Sequence, residues 1–345
     1  MGNTKLSIII PFCNEYPQVL FTLQMLINEL RGQDAEILTV NNYCHEVGQQ
    51  IDREEICPVC MNTIEYPRGE DLGGQTIDYW ERDRYPAARK LEYKDKLSHW
   101  QAKNHGVSES TGGILLFLDA HVVPTPGAIK SMYNYFVNND MGGTGHTLHL
   151  PLTQMGGNLP MTYKLETDPG RGYYHYQFTR FNDKNRRVVE VPVMSTCGMM
   201  ISKQALQEEL GGWPTELGIY GGGENFVNFT MSVLGHKKYM FNTGALYHLA
   251  APRGYRFNYD DFIRNRGIAV YMFAGAKKTG DYIRNCQGNT DVLEKILSSI
   301  VDTKSNKFHR DHIKSRAIMD IDEWLEKQKT HGLWNGEISN RRWVS

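Results

Sequence analysis

The chain has 345 residues, 40% of them hydrophobic and 22% charged, with 38 basic against 39 acidic side chains. That length suits one large domain or two modest ones, and the composition is that of a globular protein. A net charge of −1 provides no global field toward nucleic acid or an anionic membrane, and no apolar run approaches the roughly 20 residues of a membrane-spanning helix. Met1-Gly-Asn-Thr-Lys-Leu-Ser7 leads straight into a strand, leaving no room for a signal peptide. The six cysteines then read as reduced thiols of a cytoplasmic protein.

Leu6-Ser-Ile-Ile-Ile-Pro11 predicts a buried strand that proline ends, with Asn14 and Glu15 in the following loop. Val19, Leu20, Leu23, Leu26, Ile27 and Leu30 recur at helical spacing, which predicts an amphipathic helix ending near Gly32. Ala35 to Val40 predicts a second strand running into Asn41 and Asn42. Strand, helix, strand is a βαβ unit and implies a parallel sheet. Asn41 and Asn42 then stand at a strand carboxyl end, where a nucleotide would lie. Residues 44–84 lack periodicity and read as a long loop insertion, a kind of segment that tends to be functional. Cys57-Pro-Val-Cys60 resembles half of a zinc knuckle, to which Cys44 or His45 could add ligands. Structural zinc needs four ligands and a second clean pair is missing, so free thiols are the better reading.

A short helix around Trp100, Ala102 and Val107 leads through Ser110-Thr-Gly-Gly113 into Ile114-Leu-Leu-Phe-Leu118, a continuous apolar run that predicts a buried strand. Asp119 ends it and His121 follows two positions later. Side-chain alternation puts the two on one face, where a carboxylate and an imidazole can hold a divalent cation. Equally, Asp119 could cap the turn before Pro124, with His121 merely solvated. Pro124-Thr-Pro-Gly127 starts a helix carrying Ile129, Met132, Tyr133 and Phe136. Residues 142–160 read as loop. The aromatic run Tyr173 to Phe178 could line an acceptor groove or belong to the core. Val188 to Val193 and Cys197 to Ile201 predict strands, and Lys203 to Leu210 a helix. Gly221-Gly-Gly-Glu-Asn225 opens a helix with Phe226, Phe229, Val233 and Leu234. Tyr239 to Phe241 and Ala245 to His248 predict short closing strands. From about Tyr282 onward the pattern is helical and charged, with interleaved bases and acids that read as a solvated surface.

These pieces resemble the family-2-type glycosyltransferases of the GT-A fold. Leu6 to Glu15 looks like that family's opening strand. Gln101-Ala-Lys-Asn-His-Gly106, Gly112-Gly113 and Phe117-Leu-Asp-Ala-His121 match its middle segment in order and spacing. Asp-Ala-His resembles the Asp-Ser-His of polypeptide N-acetylgalactosaminyltransferases. Gly211-Gly-Trp213 and Tyr220-Gly-Gly-Gly-Glu-Asn225 resemble their Gly-Gly-Tyr and Trp-Gly-Gly-Glu-Asn segments. His248 falls where those enzymes place a second metal-binding histidine. The likeness covers about residues 5 to 275, without that family's lectin domain or membrane anchor.

The resemblance implies an α/β fold with a mainly parallel twisted sheet and helices on both faces. It divides the chain into a catalytic domain over 1–280 and a C-terminal helical extension over 281–345. It also implies transfer of a hexose or N-acetylhexosamine from a nucleotide-diphosphate donor, UDP-linked by the resemblance, to an acceptor hydroxyl. The acceptor stays open: a protein, a glycan or polymer, or a hydroxylated base of nucleic acid. Asp119, His121 and His248 form the implied metal site; imidazole ligands shift the choice toward Mn²⁺ over Mg²⁺. The implied nucleotide contacts are Pro11, Asn14, Glu15, Asn41, Asn42, Lys103, Asp119, Arg253 and Tyr255. Asn41-Asn42 stand where an aspartate usually pairs with uracil; an amide can donate and accept, so UDP still fits. Glu224 and Asn225 are the implied catalytic residues. Inverting relatives place a general base where Asn225 stands, and an amide cannot take a proton, which favours retention. The alternatives are an inverting enzyme acting on a cell-surface polymer or glycan, a glycosyltransferase modifying a hydroxylated DNA base, or a non-catalytic carbohydrate-binding protein.

Overall fold

The structure is a computed structural model, and it describes residues 5–13, 15, 18–42, 88–154, 161–166, 175–180, 187–249 and 257–329. Asn14, Arg253, Tyr255 and the whole of 44–84, with Cys44, His45, Cys57 and Cys60, lie outside the described residues.

The opening βαβ unit forms as its pattern predicts. Strand β1 (Leu6–Phe12) and β2 (Ala35–Asn41) flank helix α1 (Gln18–Glu29) and pair in parallel. The strand runs through Pro11 rather than stopping there. The reason lies in its neighbour β4 (Ile114–Phe117), which pairs with β1 only from Leu6 to Ile9. The ladder with β4 ends at Ile9, so the missing N–H of Pro11 removes none of its paired residues.

The large sheet adds β3 (Ala88–Glu92), β6 (Thr147–His149), β10 (Val188–Val191), β11 (Met199–Ser202) and β12 (Lys238–Phe241). Its order is β10-β12-β6-β11-β4-β1-β2-β3. The strands β3, β2, β1, β4, β6 and β12 run one way, and β11 and β10 the other. A second sheet has the order β5-β13-β7-β8-β9, from β5 (Val122–Pro124), β7 (Leu152–Gln154), β8 (Met161–Glu166), β9 (His175–Arg180) and β13 (Leu246–His248). Residues 142–160, expected as loop, thus contain β6 and β7. Each is three residues long, too short for a period of two to show, and each exists through pairing with distant strands.

Side-chain alternation divides the core. Ile8, Ile10 and Leu116 face α1 and the helix α3 (Ala128–Asn138), meeting Leu23, Leu26, Met132 and Phe136. Ile9, Leu115 and Phe117 face the other way, toward Trp100 and Val107 of α2 (His99–Glu109) and Phe226 of α4 (Gly223–Val233). The predicted helix after Lys203 is a single wide turn, Ala205–Glu209. Helix α5 (Tyr259–Asn285) begins well before Tyr282, and its run Gly267 to Phe273 is buried on every side. A helix buried all round carries no amphipathic stripe, so its sequence does not announce it. Helices α6 (Thr290–Val301), α7 (Lys304–Lys314) and α8 (Ile321–Gln328) follow, and Trp324 of α8 meets Phe229 of α4 edge-on.

Buried Glu36 ties the amino ends of β1, β2 and β4 together. Its Oε1 accepts from Ser7 Oγ at 2.6 Å, Thr111 N at 2.6 Å and Thr111 Oγ1 at 2.8 Å. Burial pushes the carboxyl up, but the Ser7 and Thr111 donors and the Lys5 charge outweigh it and hold it at about 2. A carboxylate depressed in the folded state stabilises above its unfolded value and loses that contribution as pH falls through the folded one. Glu36→Gln should therefore cost about 1–3 kcal/mol at pH 7. It should also flatten the fall of the urea midpoint between about pH 4.5 and 2. An unchanged acid limb in the variant would refute this.

Candidate active site

The three predicted metal ligands come together. Asp119, His121 and His248 each offer a ligand atom, and these atoms all lie within 4.8 Å of one another. His121 Nε2 is 3.1 Å from His248 Nε2, and His248 Nε2 is 3.8 Å from Asp119 Oδ2. Strand alternation is not what aligns Asp119 with His121. Strand β4 ends at Phe117, and both ligands stand in the turn between β4 and β5. The turn is held from behind by fully buried Thr22 of α1, whose Oγ1 lies 2.8 Å from Ala120 O and 2.9 Å from Val122 O and accepts from Val122 N. His248 arrives because β13 pairs antiparallel with β5, His248 opposite Val122, and Leu249 N donates to His121 O at 2.9 Å.

Glu15, expected near the nucleotide, touches the Asp119–His121–His248 cluster: its Oε1 is 2.7 Å from His121 Nδ1. Burial pushes the Asp119 carboxyl up, but Lys103 and the neighbouring histidines prevail and hold it below its usual range. His99 of α2, which the sequence reading passed over, joins this group; burial and the Lys103 charge push its imidazole down to about 3, so it is neutral. Only its place beside the Gln101-to-Gly106 motif could have signalled it.

Lys103 is fully buried. Its Nζ donates to Thr196 Oγ1 at 3.2 Å and lies 4.8 Å from the Trp100 ring centre, with Phe117 and Trp213 completing an aromatic enclosure. Glu224, in the first turn of α4, accepts through Oε1 from Ser195 Oγ at 2.9 Å and Thr196 N at 3.0 Å. Ser195 and Thr196, between β10 and β11, were missed because two hydroxyl residues in a connecting segment carry no spacing signal. Asn225 is buried in the same first turn.

The glycines before Glu224 have a packing reason. Gly221 and Gly222 have φ of 85° and 80°, and a Cβ on Gly222 would lie 2.1 Å from Asn265 O of α5. A Cβ on Gly223 would lie 2.2 Å from the Trp100 ring. The turn is thus squeezed between α2 and α5, which only glycine permits. The motifs also hold one another: Gln101 Nε2 donates to Pro214 O at 2.8 Å, and Asn104 bonds the backbone N–H and carbonyl of Trp213.

The two asparagines at the end of β2 differ. Asn42 is committed to the backbone, its Nδ2 donating to Tyr93 O and Lys96 O and its Oδ1 accepting from Ser98 N at 2.7 Å. Asn41 is also buried, yet its Oδ1 has no hydrogen-bond partner among the described residues. Pro11 is buried within β1, opposite Val40. Asn42→Asp should lose both donated bonds and set a carboxylate against two carbonyls, costing about 2–4 kcal/mol. Thermal unfolding measures this; an unaltered midpoint would show that the amide is not a structural clamp.

Residues 84–210 match the family described as Glycosyl transferase family 2. No curated protein sequence matches the chain. Among solved structures, the crystal structure of GalNAc-T7 with UDP, GalNAc and Mn²⁺ is similar, with a TM-score of 0.61 and 14% identity, over 96% of this chain and 59% of that one. Residues 1–349 of S. aureus TarS in complex with UDP-GlcNAc superpose with a TM-score of 0.51 and 11% identity, over 95% of this chain and 92% of that one. This chain spans 56% of a longer TarS chain, at a TM-score of 0.50 and 10% identity over 95% of its own length. No helix among the described residues is long and apolar enough to cross a membrane. The chain has a GT-A fold like that of the GalNAc-T7 structure, and its residues 84–210 match the glycosyl transferase family 2 model.

Proposed function

We propose that this chain is a metal-dependent glycosyltransferase that moves a hexose or N-acetylhexosamine from a UDP-linked donor to an acceptor hydroxyl with retention. The observation that carries the reading is the cluster of Asp119, His121 and His248 just beyond the carboxyl end of β4. One carboxylate and two imidazoles suit a transition metal such as Mn²⁺ better than Mg²⁺. The two imidazole Nε2 atoms are 3.1 Å apart, close enough for one ion to be held by both. A bound ion would supply Lewis-acid neutralisation of the departing diphosphate. The GalNAc-T7 structure with UDP, GalNAc and Mn²⁺ and the TarS complex with UDP-GlcNAc support the choice of donor and metal.

In this reading the chain's own groups divide the work. Asn41 Oδ1, buried and without a partner among the described residues, accepts a base N–H such as that of uracil. Lys103 holds Thr196 through its Nζ. Arg253 and Tyr255 meet the diphosphate. Glu224, its Oε1 already accepting from Ser195 and Thr196, orients sugar or acceptor rather than moving a proton. Asn225 cannot act as base, and in a retaining transfer the departing phosphate oxygen takes the acceptor's proton. In this reading residues 1–280 are the catalytic domain and 281–345 a C-terminal extension.

Asp119→Ala and His248→Ala should each lower UDP-sugar turnover about 100-fold or more, with circular dichroism unchanged. EDTA should abolish turnover and Mn²⁺ restore it; full activity in EDTA would remove the metal from the mechanism. An α-linked donor should give an α-linked product, and Asn225→Asp should not raise the rate. A β-linkage in the NMR spectrum of the product would establish inversion and require a general base.

A further inference from the structure

We infer that Glu15 is a positioning residue of the metal centre, acting through His121. The inference rests on the reading of Asp119, His121 and His248 as metal ligands. An imidazole that ligates through one nitrogen must present a lone pair there, so its other nitrogen must carry the proton. His121 turns Nε2 toward His248 and Nδ1 toward Glu15, at 3.1 Å and 2.7 Å. A carboxylate at Nδ1 accepts that N–H, selects the Nδ1–H tautomer, fixes the ring plane and makes Nε2 a better electron donor.

Glu15 is itself held, which is what makes it a lever rather than a passing contact. Its Oε2 accepts from Cys13 N at 3.2 Å, at the end of β1. Its backbone carbonyl accepts from Val19 N at 3.0 Å, in the first turn of α1. The side chains of Glu15 and His121 are each about one-sixth exposed, at 15% and 19%, so water competes weakly for the pair. Farther along α1, Thr22 grips the backbone on both sides of His121 through Ala120 and Val122. The start of α1 therefore sets both the backbone of the ligand turn and the ring of one ligand. A glutamate here has a reason that does not require it to touch the nucleotide.

The experiment is Mn²⁺ binding by isothermal titration of the full chain, without any sugar donor. Glu15→Ala should weaken Mn²⁺ about 10–100-fold, while Glu15→Gln, which keeps an acceptor oxygen, should recover part of the loss. The metal-free thermal midpoint of each variant, measured alongside, separates misfolding from lost positioning. Should Glu15→Ala fail to fold, ¹⁵N–¹H correlation of the His121 ring in the metal-free wild type at pH 8 decides the matter. The Nδ1–H tautomer supports the inference and the Nε2–H tautomer overturns it. Wild-type affinity retained in a folded Glu15→Ala also overturns it while leaving the metal site standing. No Mn²⁺ binding by the wild type overturns the metal reading and this inference with it.

Discussion

The candidate site depends on one short antiparallel pairing. Strand β5 and strand β13 are three residues each, and their register sets His248 opposite Val122. That pairing brings together two imidazoles 127 residues apart in the chain. Three-residue strands have little stability of their own. They persist because Leu246 and Val122 are fully buried in the core beneath α1 and α3, and because β7 supports β13 from its other side. Burial of apolar side chains thus fixes the geometry of polar ones.

Charge is arranged behind that geometry with little water to screen it. Burial pushes the Lys103 ammonium below its usual range, and the Asp119 and Glu224 charges oppose that push without cancelling it. The ammonium keeps one hydroxyl partner in Thr196 and three aromatic faces, an environment suited to a desolvated cation. Groups fixed in this way need not reorganise as charge develops, which is the general basis of electrostatic preorganisation.

The same residues serve packing and chemistry at once. Gly221 to Gly223 let α2 and α5 approach, and the helix they open carries Glu224. Trp100 Nε1 donates to Gly221 O and Trp213 Nε1 to Gly223 O. The aromatic rings that enclose Lys103 thereby also tether the backbone just before Glu224. A motif that reads as a place for close approach to a sugar is, in the fold, first a place for close approach of two helices.

The sequence by itself determined the βαβ opening, the buried strand before Asp119, the helix behind Glu224 and the set of residue types able to hold a metal. These follow from local regularities: a period of 3.6 along α1, a continuous apolar run in β4, glycines where φ turns positive. Only the tertiary structure decided that Glu15 belongs with His121, that Asn42 is a clamp while the Asn41 Oδ1 has no partner among the described residues, that Ser195 and Thr196 hold Glu224, and that α5 starts at Tyr259. Each of these depends on a partner tens of residues away or more, or on burial that removes any amphipathic trace. Hydrogen-bond partners and side-chain surroundings are properties of a packed arrangement. They are settled by which surfaces the apolar core presses together, and nearest neighbours along the chain do not encode that.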